Sequence, residues 1–205
     1  MTAIYFLASI VAALVTSIII DKLYNLPNAP LSFPEKIHGN HTLRKIFLTT
    51  IFFAAIIFCA EKSQLQATYL LTATFFLALI IVTDFEQYII FDKILLPFAL
   101  AGIFFVMILN LSLIEHFAAS IIGGGIFFAL MMLTKGGIGG GDVKLVAVLG
   151  IWLGASLSIV VLIAAILGGM AALIMLATGF KSRKDFFAYG PYFCVATAAQ
   201  MFNLF

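Results

Sequence analysis

The chain has 205 residues, of which 64% are hydrophobic and only 10% are charged, and its net charge is +2. Soluble domains are about half apolar and about a quarter charged, so this composition excludes an ordinary soluble domain and gives no basis for a nucleic-acid partner. Cys59 and Cys194 lie in apolar runs without a CxxC pair, which argues against a disulfide framework or a thiolate zinc site.

Apolar runs follow one another along the chain, and several approach the ~20 residues needed to cross a bilayer as a helix. They predict an all-α, polytopic membrane helix bundle with about eight transmembrane helices, and we treat residues 1–205 as a single integral membrane domain. The predicted spans are residues 3–23, 46–60, 67–83, 94–111, 117–134, 143–153, 156–178 and 189–205. The run after residue 142 is too long for one crossing, so a turn is predicted at residues 150–158.

The basic residues are distributed unevenly between the two sides of such a bundle. With eight alternating spans, ten of the eleven Lys and Arg residues fall on one side, and only Lys62 falls on the other. Positive charge marks the cytoplasmic side, so both termini are expected on the outer side, with residues 24–45 forming a short cytoplasmic loop. Glycines inside the spans, at residues 123–125 and 168–169, are expected to allow close helix packing.

Two aspartates stand at the expected cytoplasmic ends of spans. Asp84 ends the third span, and Asp142 begins the sixth, directly after a glycine-rich stretch that starts at Lys135 and reads KGGIGGGDVKL. Two carboxylates that meet at the hydrocarbon edge cannot both ionise cheaply, so one keeps a proton while the other does not. Such a pair can activate a water and protonate a peptide carbonyl without a metal.

Other interpretations of the two acids remain open at this point. Asp142 follows glycines as a helix N-cap would, and Asp84 is equally well placed as a boundary residue or a cap. A proton-coupled transporter would use intramembrane acids as well, so the residues alone leave peptidase and transporter level. The stretch lacks the Gly-Lys-Ser/Thr ending of a phosphate-binding loop, and Glu35 with His38 and His41 is too small a ligand set to predict a metal site.

The segments TDFEQYIIFD and GIGGGDVKLVAVLGIWLG resemble the type IV prepilin peptidases, a family of GxGD membrane aspartyl proteases. The resemblance implies that Asp84 and Asp142 are the catalytic pair. It assigns Gly139 and Gly141 to the GxGD motif, and Asp92 closes the first motif. Further along, Lys144 follows the second catalytic position, and a later family signature, FGPF, is echoed by residues 189–192 as Tyr-Gly-Pro-Tyr. Residues 84–205 thus carry the family motifs, and Phe91 stands where the family usually has proline.

This resemblance carries a specific expectation of function. It implies an endopeptidase of the bacterial inner membrane that needs no cofactor and removes the basic leader of a prepilin or pseudopilin after a glycine at the cytoplasmic face. The 24–45 loop has no cysteine where larger members have two CxxC pairs, so N-methyltransferase activity is not expected. Candidate substrate contacts are Glu86, Gly190 and Pro191, and further acids that could attract a basic leader are Asp92, Asp185 and, more weakly, Glu35. A non-enzymatic pilus assembly factor is the remaining alternative.

Overall fold

The computed structural model describes residues 2–27, 31–33, 41–134, 137–179 and 187–204. All regular secondary structure in these ranges is helical. The eight α-helices are α1 (Thr2–Tyr24), α2 (His41–Cys59), α3 (Gln64–Gln87), α4 (Asp92–Ile108), α5 (Leu113–Leu133), α6 (Gly140–Leu153), α7 (Leu157–Ala177) and α8 (Gly190–Leu204).

Two compact units divide the chain, Met1–Ile89 and Ile90–Leu204. The first contains α1 to α3, and the second contains α4 to α8. The single integral membrane domain expected from the sequence remains a prediction.

In the first unit, α3 is the most buried helix. It begins with a capping box, in which the Ser63 side chain accepts from Gln66 and the Gln66 side chain reaches back to the cap. It ends at Tyr88, whose left-handed conformation (φ 54°) stops the helix. The residues that α1 buries are mostly small, among them Ser9, Ala13 and Ser17, and small residues let helix backbones approach closely in lipid.

In the second unit, α6 forms the centre. It packs against α4, α5 and α8, and its apolar side chains Leu145, Val146 and Leu149 are fully buried. A Cβ atom at Gly150 would lie 2.5 Å from the backbone of Ser120, so only glycine permits this approach of α5. The buried indole N–H of Trp152 donates to the carbonyl oxygen of Phe98 on α4 at 2.9 Å.

The predicted helix positions are confirmed, with shifted ends. Helix α2 begins at His41 rather than near residue 46, and α3 continues to Gln87 rather than ending near residue 83. Five helical stretches of the described residues are long and apolar enough to cross a membrane, namely Thr2–Tyr24, His41–Cys59, Gln64–Gln87, Leu113–Leu133 and Gly140–Ala177. Eight crossings and outward termini therefore remain predictions.

The turn predicted within residues 150–158 is confirmed. A 3-10 turn, Gly154–Ser156, separates α6 from α7, and Gly154 has φ +55°, which favours glycine. The packing role of glycine is confirmed at Gly123, Gly124 and Gly168, where an added Cβ would meet side chains at 2.5 to 2.9 Å. At Gly125 and Gly169 no atom lies within 4 Å of that position, so this prediction was wrong there.

Candidate active site

Asp84 lies in the last turn of α3, inside the helix rather than after it. Only 5% of the residue is exposed, and its neighbours Thr83 and Gln87 are fully buried. Its backbone carbonyl accepts the N–H of Tyr88 at 2.9 Å, which closes the helix. Asp84 is therefore a buried residue of the helix end rather than a surface residue.

Glu86, a candidate substrate contact, is held inside the first unit. The Tyr24 hydroxyl donates to Glu86 Oε2 at 2.9 Å, and Arg44 Nε lies 3.4 Å from Glu86 Oε1. Arg44 also reaches Asp21, with Nη1 3.0 Å from Oδ1, and its Nη2 contacts His41 Nδ1. Sequence analysis missed this group because its contacts join residues far apart in the chain.

Gln87 secures a second segment to the end of α3. Its amide nitrogen donates to the Phe33 carbonyl oxygen at 3.0 Å, and its amide oxygen accepts the Phe33 N–H at 2.9 Å. The rings of Phe33 and Tyr88 meet edge to face with centroids 5.6 Å apart. The sequence shows a glutamine at the end of an apolar run, and in the structure this side chain is buried. The contact with Phe33 supplies the hydrogen-bond partners that a buried amide needs.

Asp142 is the third residue of α6, and Gly139 is the N-cap. The alternative that Asp142 is itself the N-cap is therefore wrong. Its carboxylate turns back toward the backbone of Gly139, as the third residue does in a capping box. A carboxylate in the first helical turn is also favoured by the positive end of the helix dipole. The side chain is partly buried.

The three glycines before Asp142 have different surroundings. A Cβ at Gly139 would lie 3.1 Å from Asp142 Oδ2, and a Cβ at Gly141 would lie 3.2 Å from the Cβ of Ile90. At Gly140 no atom lies within 4 Å of that position. The two glycines of the GxGD pattern are thus the two at which a Cβ would make a tight contact and a neighbouring side chain would have to shift. Within the same stretch, Lys135 and Gly136 lie outside the described residues.

Lys144 pairs with Asp92 rather than with Asp142. Its ammonium lies 2.8 Å from both carboxylate oxygens of Asp92. Asp92 is the first residue of α4, so the ion pair joins the N-terminal turns of α4 and α6. Both side chains are more than half exposed.

The Tyr-Gly-Pro-Tyr segment begins α8, where Gly190 and Pro191 are buried. The Tyr189 ring fills the space left by Gly168, where a Cβ would lie 2.7 Å from its Cζ atom.

No group of three or more His, Cys, Asp or Glu side chains is placed to hold a metal ion within the described parts of the chain. Glu35, His38 and Asp185 lie outside those parts. Of the predicted site residues, Asp92 and Lys144 are brought together, and so are Gly139 and Asp142. Asp84 belongs to the first compact unit and Asp142 to the second.

These features define a class, an all-helical membrane protein with acids at the ends of apolar helices. Residues 70–174, just over half of the chain, match the model of the type IV leader peptidase family. The chain belongs to this family, as the resemblance predicted.

Curated relatives agree with this membership. A prepilin leader peptidase/N-methyltransferase of Legionella pneumophila is 40% identical over 73 residues, which cover 35% of this chain and 25% of the relative. Proteins with the same description from Aeromonas salmonicida and Aeromonas hydrophila are 30% identical over 135 residues, covering 62% of this chain and 46% of each relative. The chain thus spans less than half of the length of these relatives. No solved structure matches it.

Proposed function

We propose that this chain is a membrane aspartic endopeptidase that removes the leader peptides of type IV prepilins or pseudopilins. One observation carries the proposal. Asp84 and Asp142 both lie within the residues 70–174 that match the leader peptidase family, each in a terminal turn of an apolar helix. The curated relatives are named as prepilin leader peptidases.

The proposed chemistry divides two roles between the two aspartates. The ionised carboxylate takes a proton from a water as that water attacks the scissile carbonyl carbon. The neutral carboxyl donates its proton to the carbonyl oxygen, and the resulting tetrahedral intermediate collapses with protonation of the leaving amine. The mechanism requires one carboxyl to be protonated while the other is ionised, because two carboxylates that share a site cannot both ionise cheaply. No metal and no covalent intermediate is needed.

The proposed substrate has a short basic leader, a glycine and a hydrophobic helix, and cleavage follows the glycine. Peptide bonds inside a helix are poor substrates because their carbonyls are hydrogen-bonded, and a glycine before the helix favours an extended, accessible bond. We place this reaction at the cytoplasmic face of the bacterial inner membrane, where the excess of Lys and Arg is expected.

The test is cleavage of a purified prepilin by the purified protein in detergent. Asp84→Asn and Asp142→Asn should each lower the cleavage rate by more than about a hundredfold, the usual contribution of an acid–base group. Glu61→Gln is the matched control, since Glu61 is an exposed acid in the turn between α2 and α3, and it should cleave at the wild-type rate. A chelator should have no effect.

Other outcomes would favour the alternatives. Full cleavage by either aspartate variant would refute the catalytic pair, and an inactive wild type would favour an assembly factor. A transporter would show aspartate-dependent proton uptake in vesicles without cleavage, although its acids are expected near the bilayer midplane. Weighing the product after addition of S-adenosylmethionine tests the second activity named for the relatives, and we expect an unmethylated N-terminus.

A further inference from the structure

The last turn of α3 carries two acids in a place that disfavours them. Asp84 and Glu86 both lie near the C-terminal end of the helix, where the helix dipole is negative and disfavours a carboxylate. A positive charge must offset this if the turn is to stay helical with both acids buried or half-buried. Arg44 supplies that charge from the first turn of α2.

Arg44 is an unusually buried cation. Its side chain is 4% exposed, whereas those of Asp21 and Glu86 are 38% and 30% exposed. Its contacts with the two carboxylates are close in distance but not aligned as hydrogen bonds, so charge rather than direction holds them. Because a buried guanidinium without a counter-charge is costly, Arg44 binds the end of α1 and the end of α3 to α2.

The two carboxylates around Arg44, those of Asp21 and Glu86, lie on different helices and make different further contacts. Asp21 lies on α1, well away in sequence from the proposed catalytic acids. Glu86 is two residues from Asp84 and also accepts the Tyr24 hydroxyl. The contacts of Glu86 thus join the turn of α3 that carries Asp84 to α1 and α2, whereas the contact of Asp21 joins α1 to α2.

We propose that Arg44, Glu86 and Tyr24 are positioning residues, which hold the last turn of α3 so that Asp84 keeps its place for peptide cleavage. The proposal rests on the proposed function and deepens it. It gives Glu86 an internal role instead of the substrate contact expected from the sequence. Glu86→Gln should then lower kcat and leave KM unchanged, because an orientation effect acts on the reacting geometry rather than on binding.

The experiment compares Glu86→Gln with Asp21→Asn in purified protein. Each variant leaves Arg44 one carboxylate, so both should lose similar stability. We expect Glu86→Gln to lower kcat about tenfold, equivalent to about 1.4 kcal/mol of transition-state stabilisation, while Asp21→Asn keeps the wild-type kcat. Tyr24→Phe, which removes only the hydroxyl contact, should lower kcat less than Glu86→Gln.

Hydrogen exchange provides a measurement independent of activity. The Tyr88 amide donates to the carbonyl of Asp84, so its exchange rate reports the closure of this turn. Exchange should rise in Glu86→Gln and Tyr24→Phe but not in Asp21→Asn.

Three results would overturn the proposal. Equal kcat values in Glu86→Gln and Asp21→Asn would show that Arg44 and its partners serve only helix packing. A raised KM with unchanged kcat in Glu86→Gln would show that Glu86 contacts the substrate. Unchanged Tyr88 exchange in Glu86→Gln would show that the turn does not depend on Glu86. If the wild type cleaves no prepilin, the proposed function fails, while the exchange rates still decide whether Glu86 holds the turn.

Discussion

Three consecutive glycines precede Asp142, and they are not equivalent. Gly139 and Gly141 each have an atom about 3 Å from the position of a Cβ, whereas the surroundings of Gly140 are open. A contact near 3 Å is shorter than carbon and oxygen atoms tolerate without movement. Since the atom next to Gly139 is Oδ2 of Asp142 itself, the glycine determines where the carboxylate can lie.

Alanine substitutions at Gly139 and Gly140 should therefore affect prepilin cleavage differently. Gly139→Ala should displace the Asp142 carboxylate and lower the rate of prepilin cleavage about tenfold or more, as small misplacements of a reacting group do. Gly140→Ala should retain activity and raise the free energy of unfolding by about 0.4–1 kcal/mol, because it restricts the unfolded chain. Cleavage assays and denaturation in detergent measure the two effects. Equal activities in the two variants would contradict this explanation of the glycines.

At the scale of single residues, the sequence motif selected residues for the proposed site but did not show what those residues contact. Asp142, Gly139 and Gly141 were singled out by the motif, and the geometry supplies reasons for all three. Arg44 was treated only as one of the basic residues of the cytoplasmic side. Its partners lie on α1 and α3, and contacts between residues so distant in the chain leave no local pattern to read.

At the scale of helices, the ion pair between Asp92 and Lys144 joins the starts of α4 and α6. Asp92 favours the N-terminus of α4 through the helix dipole, and α6 carries Asp142 in the same turn region as Lys144. The Lys144 ammonium lies 2.8 Å from both carboxylate oxygens of Asp92. Both side chains are exposed, so water and salt weaken their attraction. The expected role of the pair is to align two helix starts rather than to stabilise the fold.

A double-mutant cycle tests this role. Asp92→Asn and Lys144→Gln should each change the free energy of unfolding by less than about 1 kcal/mol, with a coupling energy in the same range that disappears at high salt. Unfolding in detergent at low and high salt measures both quantities. A coupling energy of several kcal/mol that persists at high salt would show a structural link instead.

The ends of the helices were the least predictable elements. Helix α3 was expected to stop near residue 83 because the sequence DFEQ is polar, yet it continues to Gln87. The polar side chains are accommodated inside the unit, since Glu86 finds Arg44 and Tyr24 and Gln87 finds Phe33. Polarity marks a helix end only when no partner is available, and the sequence does not show partners.

For the whole molecule, apolar runs were sufficient to predict an all-helical chain and the order of its helices. The length of a run did not determine whether it crosses a membrane. Helices α4 and α8 have 17 and 15 residues, below the ~20 needed to span the hydrocarbon core without adjustment. The number of crossings therefore depends on the sides on which the connecting turns lie.

Cysteine labelling of those turns tests the predicted topology. In a background with Cys59→Ala and Cys194→Ala, single cysteines are introduced at exposed positions that follow opposite ends of the helices. Glu61→Cys and Leu111→Cys lie in the turns after α2 and α4, and Lys93→Cys and Thr134→Cys lie at the start of α4 and the end of α5.

An impermeant maleimide should label the first two variants when the inner membrane is intact and the last two only after permeabilisation, because the excess of Lys and Arg retains its side in the cytoplasm. Labelling of Leu111→Cys and Lys93→Cys on the same side would show that α4 does not cross, and each later turn would then change sides. The basic residues near α4 and those near α6 would then lie on opposite sides of the membrane, which would contradict the cytoplasmic placement of Asp142. Labelling on opposite sides would place the starts of α4 and α6, joined by Asp92 and Lys144, at the face where a basic leader emerges from a prepilin.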